Sequence, residues 1–205
     1  MNDERLPILI ATGNAGKLAE FERLLGHEFR VEGLSGLDLV MPPEGTESYR
    51  KNAEAKAISV AKATGRLTLG DDSGIEVRAL GGAPGIESAR FAGSPPSDAR
   101  NIEKLLKLLD GNVGGDRSAR FVCWLALADA DGLVTTVEGT CSGVIGAIPK
   151  GANGFGYDPV FLFDDGRSMA ELSDQEKDLV SHRGNAVRAI KPDLERRIRG
   201  AGAHG

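Results

Sequence analysis

The side chains with the most chemical potential fall into four short groups. The first is Gly13-Asn14-Ala15-Gly16-Lys17, between an apolar run and a helical pattern. Backbone N–H groups and the helix dipole make such a loop suited to phosphate, and the same residues also make an ordinary βα turn with a solvated lysine. It is not a Walker A loop: the spacing is G-x-x-G-K, and Leu18 follows the lysine where Ser or Thr is required. The second is Asp71-Asp72-Ser73-Gly74. Carboxylates suit Mg²⁺, which binds through one or two of them plus substrate phosphates. The same residue types also make an ordinary turn. Glu44, in Pro42-Pro43-Glu44-Gly45, is a candidate second ligand or a solvated loop acid.

The third group is Gly154-Phe155-Gly156-Tyr157-Asp158-Pro159. Its glycines let a flat ligand approach, and an aromatic ring can stack on a base. A turn with two core aromatics fits equally. The fourth, Ser181-His182-Arg183-Gly184, offers donors to a base carbonyl or a phosphate, or caps a helix. Lys56 and Lys177 are unremarkable taken singly. The two cysteines and three histidines give neither a nucleophile–base pair nor zinc spacing. Adjacent Asp71 and Asp72 also make a poor glycosidase pair, whose carboxyls stand ~5–9.5 Å apart across one bond.

The pattern around these groups predicts an α/β chain. Leu6–Ala11 reads as a buried strand and residues 14–25 as a helix with Leu18, Phe21, Leu24 and Leu25 on one face. A short strand over 29–33 and a Pro- and Gly-containing loop over 34–46 follow. Glu47–Thr64 is helical in composition, and Asn52 and Lys56 share a face at i,i+4. Leu67–Gly70 and Ile75–Leu80 read as strands joined by a hairpin-like turn at Asp71–Gly74. Ser97 caps a helix carrying Ile102, Leu105, Leu106 and Leu109. Two long strands, 119–128 and 133–148, meet near Asp131-Gly132. Ser173-x-x-Glu176 is a capping box. A last helix over 184–199 meets Pro192, which should break or kink it.

Composition narrows the class. The chain has 205 residues and a formal net charge of −5, which disfavours a broad nucleic-acid-binding face. No run approaches the ~18 apolar residues of a membrane span. No signal peptide is evident at the N-terminus. Cys123 and Cys141 sit in apolar or β-like runs, which fits buried thiols in a reducing, cytoplasmic compartment.

Taken in order, ATGNAGK, NAEAKA, DDSGIEV, GGAPGIESARFAG, GFGYDPVF, AELSDQEK and SHRGNA closely resemble the non-canonical purine nucleoside triphosphate pyrophosphatases, the inosine/xanthosine triphosphatase family. The resemblance runs from Ile8 to Ile190. It implies one elongated α/β domain over 1–205 with a long central mixed sheet flanked by helices, two lobes and a cleft between them. Residues 191–205 lie outside it and are expected to form a partly disordered tail.

The resemblance also implies hydrolysis of ITP, dITP or XTP to the monophosphate and pyrophosphate, with Mg²⁺, by a homodimer that cleanses the nucleotide pool. By motif position, Thr12, Gly13, Asn14, Ala15, Gly16, Lys17 and Lys56 resemble the triphosphate-binding residues. Glu44 and Asp72 resemble the metal ligands. Asp72 is the expected general base, with Asp71, Lys17 and Lys56 also in the catalytic set and Ser73 near the substrate. Phe155, Gly156, Tyr157, Asp158, Lys177, His182 and Arg183 resemble the base and sugar pocket. Lys51, Gly70 and Glu87 depart from the family's usual Glu, Ala and Tyr. A γ-phosphate-releasing NTPase and a non-catalytic nucleotide-binding module are the rival readings.

Overall fold

The computed structural model describes residues 5–110 and 115–202, with side chains to residue 197. The chain groups into two compact units. Unit 1 comprises Met1–Asp72, Cys123–Gly139 and Arg183–Gly205; unit 2 comprises Ser73–Val122 and Thr140–His182. The class is mixed α/β, with helices alongside one mixed sheet in the order β2-β1-β3-β5-β6-β7, and β4 paired to β3.

Unit 1 opens with β1 (Leu6–Ala11), α1 (Ala15–Leu25) and β2 (Phe29–Glu32). β1 pairs in parallel with β2 and with β3 (Thr68–Val77). Asn14 caps α1: its side chain accepts a hydrogen bond from Lys17 N–H at 3.0 Å. Phe21 and Leu25 of α1 pack with Ile8, Ile10, Leu69 and Cys123. The last helix, α5 (His182–Gly202), joins the same core through Ala186, Val187, Ile190 and Leu194, a stripe at near-helical spacing.

That stripe changes the expected tail. The helix starts two residues earlier than the pattern suggested and runs on through Pro192 to Gly202. Leu194 is fully buried. Only residues 203–205 of the expected tail lie outside the described residues.

The hairpin expected at Asp71–Gly74 is also absent. β3 runs unbroken from Thr68 to Val77, and both aspartates are buried within it. Turn-forming residue types misled because their polar groups are satisfied by distant side chains rather than by a turn. Gly70 explains how the next helix, α2 (Tyr49–Thr64), comes so close. A Cβ on Gly70 would stand 2.2 Å from the Ala53 carbonyl oxygen and 2.8 Å from Ala57 N. Glycine therefore lets α2 lie against β3, with Ala53, Ala57 and Ala61 in a core of small side chains.

Unit 2 has its own core, built from Ile75 and Val77, from Leu105 and Leu109 of α3 (Asp98–Asp110), and from Phe121, Val160, Phe161 and Met169. The long strands β5 (Ser118–Asp129) and β6 (Gly132–Ile145) meet at residues 130–131, as the sequence indicated. Asp129 Oδ1 accepts from the N–H groups of Asp131 and Gly132 there. β4 (Pro84–Gly85) pairs antiparallel with β3, and β7 (Phe161–Leu162) antiparallel with β6. α4 (Asp174–Val180) starts at the predicted capping box of Ser173 and Glu176.

If α5 is an integral part of the unit 1 core, Leu194→Ala should cost about 2–5 kcal/mol, the usual range for a buried leucine. Urea unfolding checks it. A loss below about 0.5 kcal/mol, as for a surface change, would contradict the packing.

Candidate active site

Alternation along β3 sends successive side chains to opposite faces. Gly70 and Asp72 face α2, whereas Leu69 and Asp71 face the core of α1, β5 and α5. The two neighbouring aspartates therefore enter different surroundings.

Asp72, two residues beyond Gly70, meets α2 at Asn52 and Lys56. Lys56 Nζ donates to Asp72 Oδ1 at 3.0 Å and to the Asp71 carbonyl oxygen at 3.0 Å. The same ammonium lies 2.6 Å from Glu44 Oε1. Asn52 Nδ2 donates to Asp72 Oδ2 at 2.9 Å. Burial pushes the Asp72 carboxyl above the usual carboxylate value, against the pull of Lys56 and Asn52. Burial opposes the charge on Lys56, but Asp72 and Glu44 outweigh it and hold the ammonium above the ordinary lysine value.

Asp71 is wholly enclosed. It pairs with Lys17 of α1, accepts from Arg183 Nε at 3.2 Å and accepts from the Cys123 thiol at 3.2 Å. Burial alone would raise its pKa; Arg183 and Lys17 overwhelm that effect and hold the carboxyl well below the usual range. Arg183 also pairs with Glu20, one helical turn beyond Lys17. Two cations and two carboxylates thus close a buried set linking α1, β3 and α5. Burial of this kind demands pairing, because an uncompensated interior charge is costly.

Two of the expected site residues, Asp71 and Arg183, lie deep in the protein. Asp71, expected in the catalytic set, is 1% exposed and engaged with Lys17, Arg183 and Cys123. Arg183, expected with the base pocket, is 1% exposed and engaged with Asp71 and Glu20.

Thr12 to Lys17 form the loop and first turn of α1, with Thr12 Oγ1 accepting from Asn14 N–H at 3.1 Å. Gly13, Asn14 and Ala15 are exposed, Thr12 and Gly16 half-buried. No acidic residue lies in that first turn, whose Lys17 pairs instead with Asp71 of β3.

The remaining candidates lie in unit 2. Asp158 Oδ2 accepts from Phe155 N–H at 2.9 Å and pairs with the buried Lys177. The Lys177 ammonium stands 5.1 Å from the centre of the Phe155 ring. Gly154, at φ +76°, is required here, because a Cβ would meet Asp158 Oδ2 at 2.1 Å. Tyr157 donates to the Ser88 carbonyl at 2.8 Å, and Gly156 N–H to Asp98 Oδ2 at 2.7 Å. His182 stacks on Phe121 with ring centres 4.7 Å apart and planes 10° from parallel. Ser73 is half-buried on β3.

Asn52 and Glu20 did not figure in the sequence reading of the site. The signal for each was its spacing: Asn52 precedes Lys56 by four residues, and Glu20 follows Lys17 by three.

The Ham1 family model matches residues 8–193. This chain belongs to the Ham1 family. Two Ham1 relatives are the dITP/XTP pyrophosphatases of Exiguobacterium sibiricum and Geobacillus kaustophilus. The first is 46% identical, with 92% of this chain and 97% of the relative covered; the second is 44% identical, at 95% and 97%. Among solved structures, the HAM1 protein of Coxiella burnetii superposes with a TM-score of 0.83 at 38% identity, covering 93% of this chain and 99% of that one. The Staphylococcus aureus Ham1 protein gives 0.80 at 41% identity, with the same coverage. Of the departures from the family pattern, Lys51 and Glu87 are exposed and pair with their own neighbours Glu47 and Arg90.

Replacing Arg183 by Met should take one of two cations from Asp71 and a cation from Glu20, and cost about 3–5 kcal/mol at pH 7. Asp71 has a depressed folded-state pKa. Its stabilisation is therefore complete above the unfolded value of 3.8 and lost as pH falls through the folded one. In Arg183→Met the buried carboxyl takes up its proton at higher pH, so the deficit should shrink as pH falls toward 4. A deficit constant from pH 7 to 4, measured by urea unfolding, would contradict the charge pairing.

Proposed function

We propose that this Ham1 protein hydrolyses non-canonical purine nucleoside triphosphates, of the ITP, dITP and XTP kind, to the monophosphate and pyrophosphate. The observation that carries the reading is the pair Glu44 and Asp72 on one buried ammonium, with Lys17 of the α1 N-terminus paired to the neighbouring Asp71. Family membership directs that charge arrangement toward the triphosphate of such a nucleotide.

The divalent cation fits the donor set. Two oxygen donors already converge on a single positive charge at Lys56. Mg²⁺ is commonly held by one or two carboxylates, with water and substrate phosphate completing its shell. Among the described residues, no three His, Cys, Asp or Glu side chains gather into a larger cluster. Glu44 and Asp72 would hold the ion, which when bound neutralises phosphate charge and lowers the pKa of bound water.

The protein's own contribution is positioning and proton transfer. Lys17, Lys56 and the backbone of Gly13 to Gly16 bind the triphosphate. Water attacks the α-phosphorus, and the P–O bond to the β-phosphate breaks, so pyrophosphate leaves with that oxygen. Asp72 accepts the proton of the attacking water; its elevated pKa makes it a stronger base than an ordinary carboxylate. Phe155, Gly156, Tyr157, Asp158, Lys177 and His182 serve the base and sugar, with Ser73 near the substrate. Arg183 and Asp71 serve as framework. A 6-oxo purine accepts a hydrogen bond where adenine's amino group donates one. A donor left unpaired by the wrong base costs ~1–3 kcal/mol.

The resemblance that implies this reaction also implies a homodimer acting in the cytoplasm. The two free, buried cysteines suit a reducing compartment. Their thiols are held protonated by burial, Cys141 at about 11.

Purified protein given ITP should release inosine monophosphate and pyrophosphate, only with Mg²⁺, and turn over ATP and GTP far more slowly. Inosine diphosphate with orthophosphate would instead identify a γ-phosphate-releasing enzyme. Binding of ITP without turnover would identify a nucleotide-binding module.

A further inference from the structure

Asn52 has no role in the chemistry above, yet the loop bearing Glu44 is fastened to it. It lies on α2 and is 6% exposed. Its carboxamide makes three hydrogen bonds, each 2.9 Å long. Oδ1 accepts from Gly45 N–H; Nδ2 donates to the Gly45 carbonyl and to Asp72 Oδ2.

Gly45 follows Glu44 directly. The backbone at this point is therefore held by both of its polar groups, and residues 33–48 carry no helix or strand to hold it otherwise. A primary amide suits the task because it presents one acceptor and two N–H donors. The Gly45 N–H fixes which end of the amide is oxygen. Both amide hydrogens are then spent, one on the loop and one on Asp72. Aspartate has the shape without the donors; leucine has the volume without either.

Lys56 meets the Glu44 and Asp72 carboxylates directly, whereas Asn52 touches only that of Asp72, and the two side chains do different jobs. The Lys56 ammonium is a compact charge on a flexible stem and supplies attraction without direction. The planar amide of Asn52 supplies direction.

We infer that Asn52 is a positioning residue that sets where the Glu44 carboxylate stands relative to Asp72. The inference rests on the proposed role of Glu44 and Asp72 as cation ligands. Partners that orient a ligand from behind typically change metal affinity or activity about 10–100-fold when removed.

The test is a double-mutant cycle on the full chain, read by electron paramagnetic resonance of added Mn²⁺, with urea unfolding of every variant. Asn52→Ala should raise the Mn²⁺ dissociation constant about 10–100-fold. In a Glu44→Gln background the same change should raise it less than about 3-fold, because the ligand that Asn52 positions is already lost. Asn52→Leu, which keeps the side-chain volume, replaces Asn52→Ala if the smaller residue prevents folding. Unchanged affinity in a folded Asn52 variant would overturn the inference. So would an equal loss in both backgrounds, which would trace the effect to Asp72 or to general stability. A wild-type protein that binds no Mn²⁺ and hydrolyses ITP without a divalent cation would overturn the cation-ligand role of Glu44 and Asp72 on which the inference rests.

Discussion

The site depends on the two-residue period of one strand. β3 carries Asp71 and Asp72 side by side, and the pleat turns them to opposite faces. One face receives Lys17, Arg183 and Cys123; the other receives Lys56 and Asn52. A slip of one residue would exchange the two sets and leave charges without partners. The parallel register with β1, in which Ala11 sits opposite Gly70, fixes the strand just before the pair. Gly70 then admits α2 on the face that Asp72 shares.

Two identical side chains thus acquire opposite chemical character. Asp71 is flanked by two cations, which hold its carboxyl well below the usual range. Asp72 is buried with its charge only partly offset, and its carboxyl rises. The first condition suits a framework, the second a proton acceptor. Unit 2 repeats the logic on a smaller scale. Asp158 is buried against Lys177 and the Phe155 N–H, and Gly154 makes room for the carboxylate.

Much of this was legible in the sequence. Apolar patterning indicates β1, α1, α3, β5 and β6 closely, composition indicates α2, and the capping box indicates α4. Motif order drew attention to Lys17, Lys56 and Asp72. The failures share one cause. At Asp71–Gly74, local residue types argue for a turn, but the compensating groups lie 54 and 112 residues away, at Lys17 and Arg183. No local window contains that information. Glu20 and Asn52 looked like ordinary polar helix residues, because only the fold decides which polar face is buried. The far end of α5 reads as a solvated tail because Leu194 and Ile198 stand among charged residues, and only the fold places Leu194 in the unit 1 core.

The central claim is the division of labour between the two aspartates, and paired carboxamide variants test it most directly. Folding free energy and kcat on ITP would be measured for Asp71→Asn and Asp72→Asn side by side. The account predicts that Asp71→Asn loses about 3–5 kcal/mol of stability. It predicts that Asp72→Asn stays folded and loses about 10²–10⁴ in kcat. A folded Asp72→Asn protein with near-normal kcat would contradict it, as would an Asp71→Asn protein of unchanged stability.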